Sequence, residues 1–137
     1  MPRVYDLSPL ERDHIARTLA AALETDARVA FAYLHGSFVL ESAFRDVDIA
    51  VFFDGSVEHP PERALEIGER LSALVHLPVD VRDLNTAPLT FRFHAVRGRL
   101  LCARDEGLLA DVLEETMRQY FDVAPVLLHA AREAFGS

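Results

Sequence analysis

The stretch YLHGSFVLESAFRDVDIAVFF, Tyr33 to Phe53, decides how this chain is read. An apolar, β-rich run, RVAFAYLHG, stops at Gly36 and predicts a buried strand with a turn at its end. Ser37 to Ser42 has the makings of one or two helical turns. DVDIAVFF then predicts a second short buried strand, β-branched and aromatic. Two aspartates, Asp46 and Asp48, stand at the mouth of that strand. Both lie two apart on the predicted strand, and alternation points both carboxylates the same way. Carboxylates so placed repel one another, and the compensating charge is the functional question.

Outward from this stretch, the remaining elements follow from pattern and punctuation. Ser8-Pro9-Leu10-Glu11 reads as a capping box with proline at the first helical position. Leu10, Ile15, Leu19 and Leu23 recur near helical spacing, predicting a helix to about Thr25. Asp54-Gly55-Ser56 ends the second strand, and Pro60-Pro61 opens a helix with Leu65, Leu71, Leu74 and Val75 on its apolar side. LPVDVRDL predicts a third strand. Leu89, Phe93 and Val96 predict a helix closed by Gly98, and RLLCA a fourth strand. From Asp105 the chain reads as helical with a break near Asp122 to Pro125. The expectation is one α/β (α+β) domain over residues 1–137, a small mixed sheet with helices packed on it, with a core over about 28–103 and a C-terminal helical segment over about 105–135.

Bulk composition narrows the function classes. The 137 residues suit one hydrophobic core. Net charge is 14 − 22 = −8, which argues against a nucleic-acid binder gripping phosphates through a basic surface. All 14 basic residues are arginine, so a phosphate-loop lysine and a Schiff-base lysine are both excluded. Apolar runs are short and interrupted, and MPRVYDLSPLERD carries charges where a signal peptide needs an apolar core. With a single cysteine, Cys102, beside Leu100 and Leu101, the expectation is a cytoplasmic protein whose one thiol is a packing residue.

A third carboxylate lies inside the apolar alternation of PVDVRD, at Asp80. If its strand neighbours the first pair, three carboxylates converge on one patch. Unpaired, they would be destabilised or would take up protons. Hard divalent cations remove the conflict, and Mg²⁺ is typically held by one or two carboxylates plus substrate phosphates. Two such ions could clamp an in-line phosphoryl displacement. Gly36 and Ser37, nine residues and more upstream, supply backbone N–H groups and a hydroxyl for a phosphate. Read alone, Asp-x-Asp is a strand start decorated with solvated acids; the Gly-Ser upstream and Asp80 downstream favour the metal reading. Asp80 is preferred to Asp83, which sits nearer the strand end and reads as a turn cap. Asp54 reads as a turn residue. His35 reads as a strand-end packing residue, and the other histidines show no metal-ligand spacing. Arg92, Arg97, Arg99 and Arg104 read as solvated surface, and Tyr120 and Phe121 as either core or a docking patch.

GSFVLESAFRDVDIAV, residues 36–51, resembles the Gly-Ser…Asp-x-Asp signature of the polymerase β-type nucleotidyltransferase superfamily, and looks most like its minimal members, the MntA-like antitoxins. VDVRDL resembles the strand that carries the third metal-binding carboxylate there. The resemblance covers roughly residues 30–103. It implies that Asp46 and Asp48 are ligands for two Mg²⁺ ions, that Asp80 is a ligand of the catalytic ion and helps deprotonate the attacking hydroxyl, and that Gly36 and Ser37 hold the triphosphate of ATP or another NTP. The spacer between Ser37 and Asp46 is eight residues, shorter than the family's commonest spacing of about ten or more. Leu40-Glu41-Ser42 stands where the family has Arg-Gly-Glu, with Arg45 or Arg82 as the substitute cation. Many minimal members are antitoxins that transfer AMP to a tyrosine of a helical HEPN-type (HepT-like) toxin, and that role is what the resemblance implies here. The alternatives are a non-catalytic antitoxin acting by stoichiometric binding, and a small-molecule nucleotidyltransferase of the aminoglycoside type, whose acceptor pocket would need a homo-oligomer in so short a chain.

Overall fold

The computed structural model describes residues 3–40 and 43–134. Its elements run α1 (Pro9–Glu24), β1 (Val29–His35), α2 (Ser37–Leu40), β2 (Val47–Phe53), α3 (Pro60–Val75), β3 (Val79–Asp83), α4 (Leu89–Ala95), β4 (Arg99–Ala103) and α5 (Glu106–Ala134). Glu41 and Ser42, part of the stretch read as helical turns, lie outside the described residues.

Local chemistry sets the element ends. Ser8 Oγ accepts from the Glu11 N–H at 3.2 Å, while Glu11 Oε1 accepts from the Ser8 N–H at 3.1 Å, so the capping box is closed in both directions. Helix α3 runs from Pro60 to Val75 and is capped by His76, which takes the left-handed conformation (φ 57°). Asn85, a residue with no sequence signal, donates to Phe53 O and accepts from Phe53 N–H, both at 2.9 Å. It tethers the end of β2 to the loop after β3.

The sheet order is β3-β2-β1-β4, with β1 antiparallel to both β2 and β4 and β2 parallel to β3. Helix α3 makes the crossover that a parallel pair requires. Alternation divides the strands between two cores. Val47, Ile49, Val51, Val79 and Val81 face α1 and α3, meeting Leu19, Leu23, Ile67 and Leu71. Phe31, Tyr33 and Ala50 face the other way, toward α4 and α5, with Val96, Val112 and Leu108. Phe93 of α4 stacks on Tyr120 of α5 with ring planes 1° apart.

Three expectations are corrected. The buried stripe of α1 is Ala16, Leu19 and Leu23, with Leu10 left exposed in the first turn. On α3 the buried residues are Ala64, Ile67, Gly68 and Leu71, while Leu65 and Leu74 face solvent. The sheet closes on small residues at the point of tightest approach, and hydropathy alone overlooks alanine and glycine there. Finally, α5 does not break near Asp122: it continues through Pro125. Proline forfeits its own N–H and the bond to the carbonyl four residues back. The surrounding Phe121, Asp122, Val123 and Val126 are exposed, so the forfeited bond lies on a solvent-facing part of the helix.

Candidate active site

The site forms where the polar ends of three strands meet, on the face of the sheet shared with α4 and α5. His35, the last residue of β1, is the register partner of Asp48 in β2. Asp48 in turn is the register partner of Asp80 in the parallel strand β3. In-register neighbours project to the same face, so Asp48 and Asp80 share one side of the sheet. Asp46 falls one residue before β2 begins. Strand alternation therefore does not set its direction as the sequence reading supposed. Its charge nonetheless acts on Asp48.

Asp48 is half-buried, and its carboxyl is held above the ordinary carboxylate range. Burial contributes most, followed by repulsion from Asp80 and then from Asp46, with Arg82 opposing. The three acids thus form one electrostatic group centred on Asp48. Asp83 is separate: it is 7% exposed, and its Oδ2 accepts from both the N–H and the hydroxyl of Thr86 at 2.8 Å. It caps the turn after β3, as its place at the strand end foreshadowed.

Gly36 is required by its surroundings. Its φ is +80°, and a Cβ there would collide with Asp48 Oδ2. The turn that leads into α2 is therefore pressed against the central carboxylate. The Val39 N–H donates to Gly36 O at 3.1 Å, closing the first turn of α2.

Other groups reach the same place, among them Arg82, one of the two arginines offered above as the substitute cation. Arg82, two residues past Asp80 on the same face, has its Nε 3.7 Å from Asp80 Oδ2 and its guanidinium over the Phe91 ring. The His35 ring meets Phe91 edge-on at 5.5 Å. Burial lowers the His35 pKa, against the pull of Asp80 and with the help of Arg82 and His94, so the imidazole is kept neutral. A cavity of about 210 Å³ lies alongside, lined by His35, Gly36, Val39, His94, Arg97 and Gly98. The signal for Arg82 was its period-two spacing from Asp80; Phe91 and His94 come from α4, which no spacing rule connects to the carboxylates. A larger apolar cleft of about 450 Å³ between α1 and α3 belongs to the other layer and holds none of these groups.

Among the described residues, no three His, Cys, Asp or Glu side chains gather closely enough to hold a metal ion unaided. The donor set nevertheless fits Mg²⁺. It consists of hard carboxylate oxygens with unbalanced negative charge, and Mg²⁺ is ordinarily completed by substrate phosphates and water instead of a closed protein cage.

A family profile described as polymerase beta, nucleotidyltransferase matches residues 17–107, more than half of the chain. The chain belongs to this nucleotidyltransferase family. Solved structures agree in fold. One is a tri-AMPylated Shewanella oneidensis HEPN toxin in complex with MNT antitoxin, 20% identical over 90% of this chain and 94% of that chain, with a TM-score of 0.63. A second is a toxin–antitoxin with AMP-PNP, 21% identical over 87% and 94% of the two chains, TM-score 0.64. A third is the toxin–antitoxin MntA–HepT, 17% identical over 90% and 99%, TM-score 0.57. No curated protein matches. The family segment contains all five residues singled out in the sequence, Gly36, Ser37, Asp46, Asp48 and Asp80.

Proposed function

We propose that the protein is a Mg²⁺-dependent nucleotidyltransferase that moves AMP from ATP to a hydroxyl of a partner protein, a HEPN-type toxin. The observation that carries this reading is the in-register pair Asp48 and Asp80, with Gly36 pressed against Asp48. A carboxylate whose burial and neighbours already oppose its charge is a natural holder of a cation.

In this reading Asp46, Asp48 and Asp80 would hold the metal, which would supply charge neutralisation at the phosphates. Gly36 and Ser37 bind the triphosphate through backbone N–H groups and the Ser37 hydroxyl. Arg82, already on the same face, supplies the cation that the family places after Gly-Ser. The acceptor hydroxyl attacks the α-phosphorus, Asp80 receives its proton, and the bond to the β-phosphate opens with pyrophosphate leaving. Catalysis is positioning plus charge neutralisation. The neighbouring structures support the partner: one contains an AMPylated HEPN toxin beside its MNT antitoxin, another AMP-PNP. The net charge of −8 favours association with a basic partner. The cytoplasm is the proposed location, in keeping with the single cysteine.

The test is incubation with labelled ATP, Mg²⁺ and the protein encoded by the adjacent reading frame, followed by mass spectrometry. The expected result is a gain of one or more AMP masses on that protein, abolished by Asp48→Asn. Neutralisation of a toxin that persists in the Asp48→Asn variant, with no mass gain from the wild type, would instead establish stoichiometric binding.

A further inference from the structure

The proposed triphosphate turn leads into α2, described over Ser37–Leu40. An arginine from α1 reaches the backbone of this segment. Arg12 is 15% exposed, and its guanidinium is committed in several directions at once. Its Nη1 donates to Phe38 O at 2.9 Å, and its Nε donates to Leu7 O at 2.9 Å. Its guanidinium carbon lies 4.9 Å from the Phe44 ring centroid and 5.6 Å from that of Phe38. Those two rings meet edge to face at 4.8 Å.

Each contact bears on the site. Phe38 follows Ser37 directly, and its carbonyl accepts the Arg12 bond within α2. Phe44 lies two residues before Asp46. It is also tied to the N-terminal segment, with Tyr5 N–H donating to Phe44 O at 2.8 Å and Phe44 N–H donating to Tyr5 O at 3.0 Å. The two rings under Arg12 therefore flank the phosphate turn and the first carboxylate. A planar fork is the group that can bond two carbonyls and stack on rings together; a lysine ammonium cannot.

We propose that Arg12 is a positioning residue, a clamp from α1 that sets α2 and Phe44 so that Gly36 and Ser37 face the Asp46–Asp48–Asp80 group. The clamp rests on the nucleotidyltransferase reading for its purpose, though its geometry is independent of it.

The experiment compares wild type, Arg12→Lys and Arg12→Ala in the full chain. Three readouts are taken: calorimetric binding of ATP with Mg²⁺, hydrogen exchange at the amides of residues 36–40, and thermal melting. Arg12→Lys is expected to fold and to melt a few degrees lower, because its stem still packs on the rings while a carbonyl bond is lost. It is expected to bind Mg·ATP roughly tenfold more weakly, because a loosened turn must be ordered when the ligand binds. Faster exchange should be confined to residues 36–40. If both variants bind Mg·ATP as tightly as the wild type, the positioning role is overturned, whatever happens to melting. If exchange rises uniformly along the chain, Arg12 merely holds the fold and the proposal is overturned. If wild type itself takes up no Mg·ATP while exchange at 36–40 still responds, the clamp survives as geometry, and it is the nucleotidyltransferase reading, with the purpose assigned to Arg12, that is lost.

Discussion

Asp48 and Asp80 are register partners across the one parallel strand pair described in this sheet, so two acids 32 positions apart share a face at neighbouring strand positions. Arg82 pairs with Asp80 at 3.7 Å, and at Asp48 it only partly opposes the burial and the two like charges that hold that carboxyl up. Functional sites are where such unrelieved repulsion persists, because a ligand is meant to relieve it.

Asp48→Asn should therefore separate activity from stability. Transfer of AMP is expected to fall by about two orders of magnitude or more, the scale of losing a main electrostatic stabiliser. The melting temperature should rise, since the substitution removes a half-buried charge facing Asp46 and Asp80. Asp80→Asn should cost similar activity with less effect on melting, because Asp80 is more exposed and has Arg82 beside it. Parallel thermal melts and transfer assays decide this; a lower melting temperature for Asp48→Asn would contradict the electrostatic account.

Gly36→Ala places a methyl where Asp48 Oδ2 now stands and demands a left-handed backbone of a β-carbon residue. The backbone term alone costs about 1–2 kcal/mol. The collision must also displace the Asp48 carboxylate, so transfer should be lost along with stability. Denaturant titration and the transfer assay together test it, and an alanine variant with full activity would show that Gly36 does not press on the site.

Acid stability should depend on Asp26. Burial acts to raise this carboxyl, but the Arg28 N–H at 3.0 Å and the Arg63 guanidinium at 2.7 Å outweigh it and hold the group below its ordinary value of 3.8. A carboxyl depressed in the folded state contributes its stability above the unfolded value. That contribution is lost as pH falls from 3.8 through the lower folded value. Urea unfolding measured between about pH 6 and pH 2 should show this loss in wild type and less of it in Asp26→Asn.

Cys102 is 9% exposed, and burial, with Glu24 assisting, pushes its thiol up to about 11. At pH 8 on the order of one molecule in a thousand carries the thiolate. Alkylation by iodoacetamide should be slow in the native protein and become fast in denaturant. Rapid native labelling would mean that β4 opens far more readily than its packing implies.

Pro125 sits inside α5 among exposed residues. Pro125→Ala restores an N–H and a helical bond, and a proline in a helix interior costs about 3 kcal/mol. Far-ultraviolet circular dichroism should show the outer part of α5 surviving to higher temperature in the variant.

Much of this was legible in the chain itself. Glycine, proline and the Ser8–Glu11 box punctuate the elements because they act through local backbone geometry and short-range hydrogen bonds, which need no partner from elsewhere. Strands such as VDIAVFF announce themselves by being apolar on both faces. Asp48 and Asp80 drew attention as polar residues inside apolar strands, and Gly36, Ser37 and Asp46 as the residues that punctuate the ends of β1 and the start of β2. What the tertiary structure alone decided was register and approach. The pairing of Asp48 with Asp80, the contact that forbids a side chain at Gly36, the arrival of Phe91 and His94 from α4 and of Arg12 from α1, and the exposure of Leu65 and Leu74 all depend on how distant segments pack. Sequence periodicity reports which side of an element is apolar; it carries no information about which other element will be found there, because that choice is made by the summed fit of the whole core.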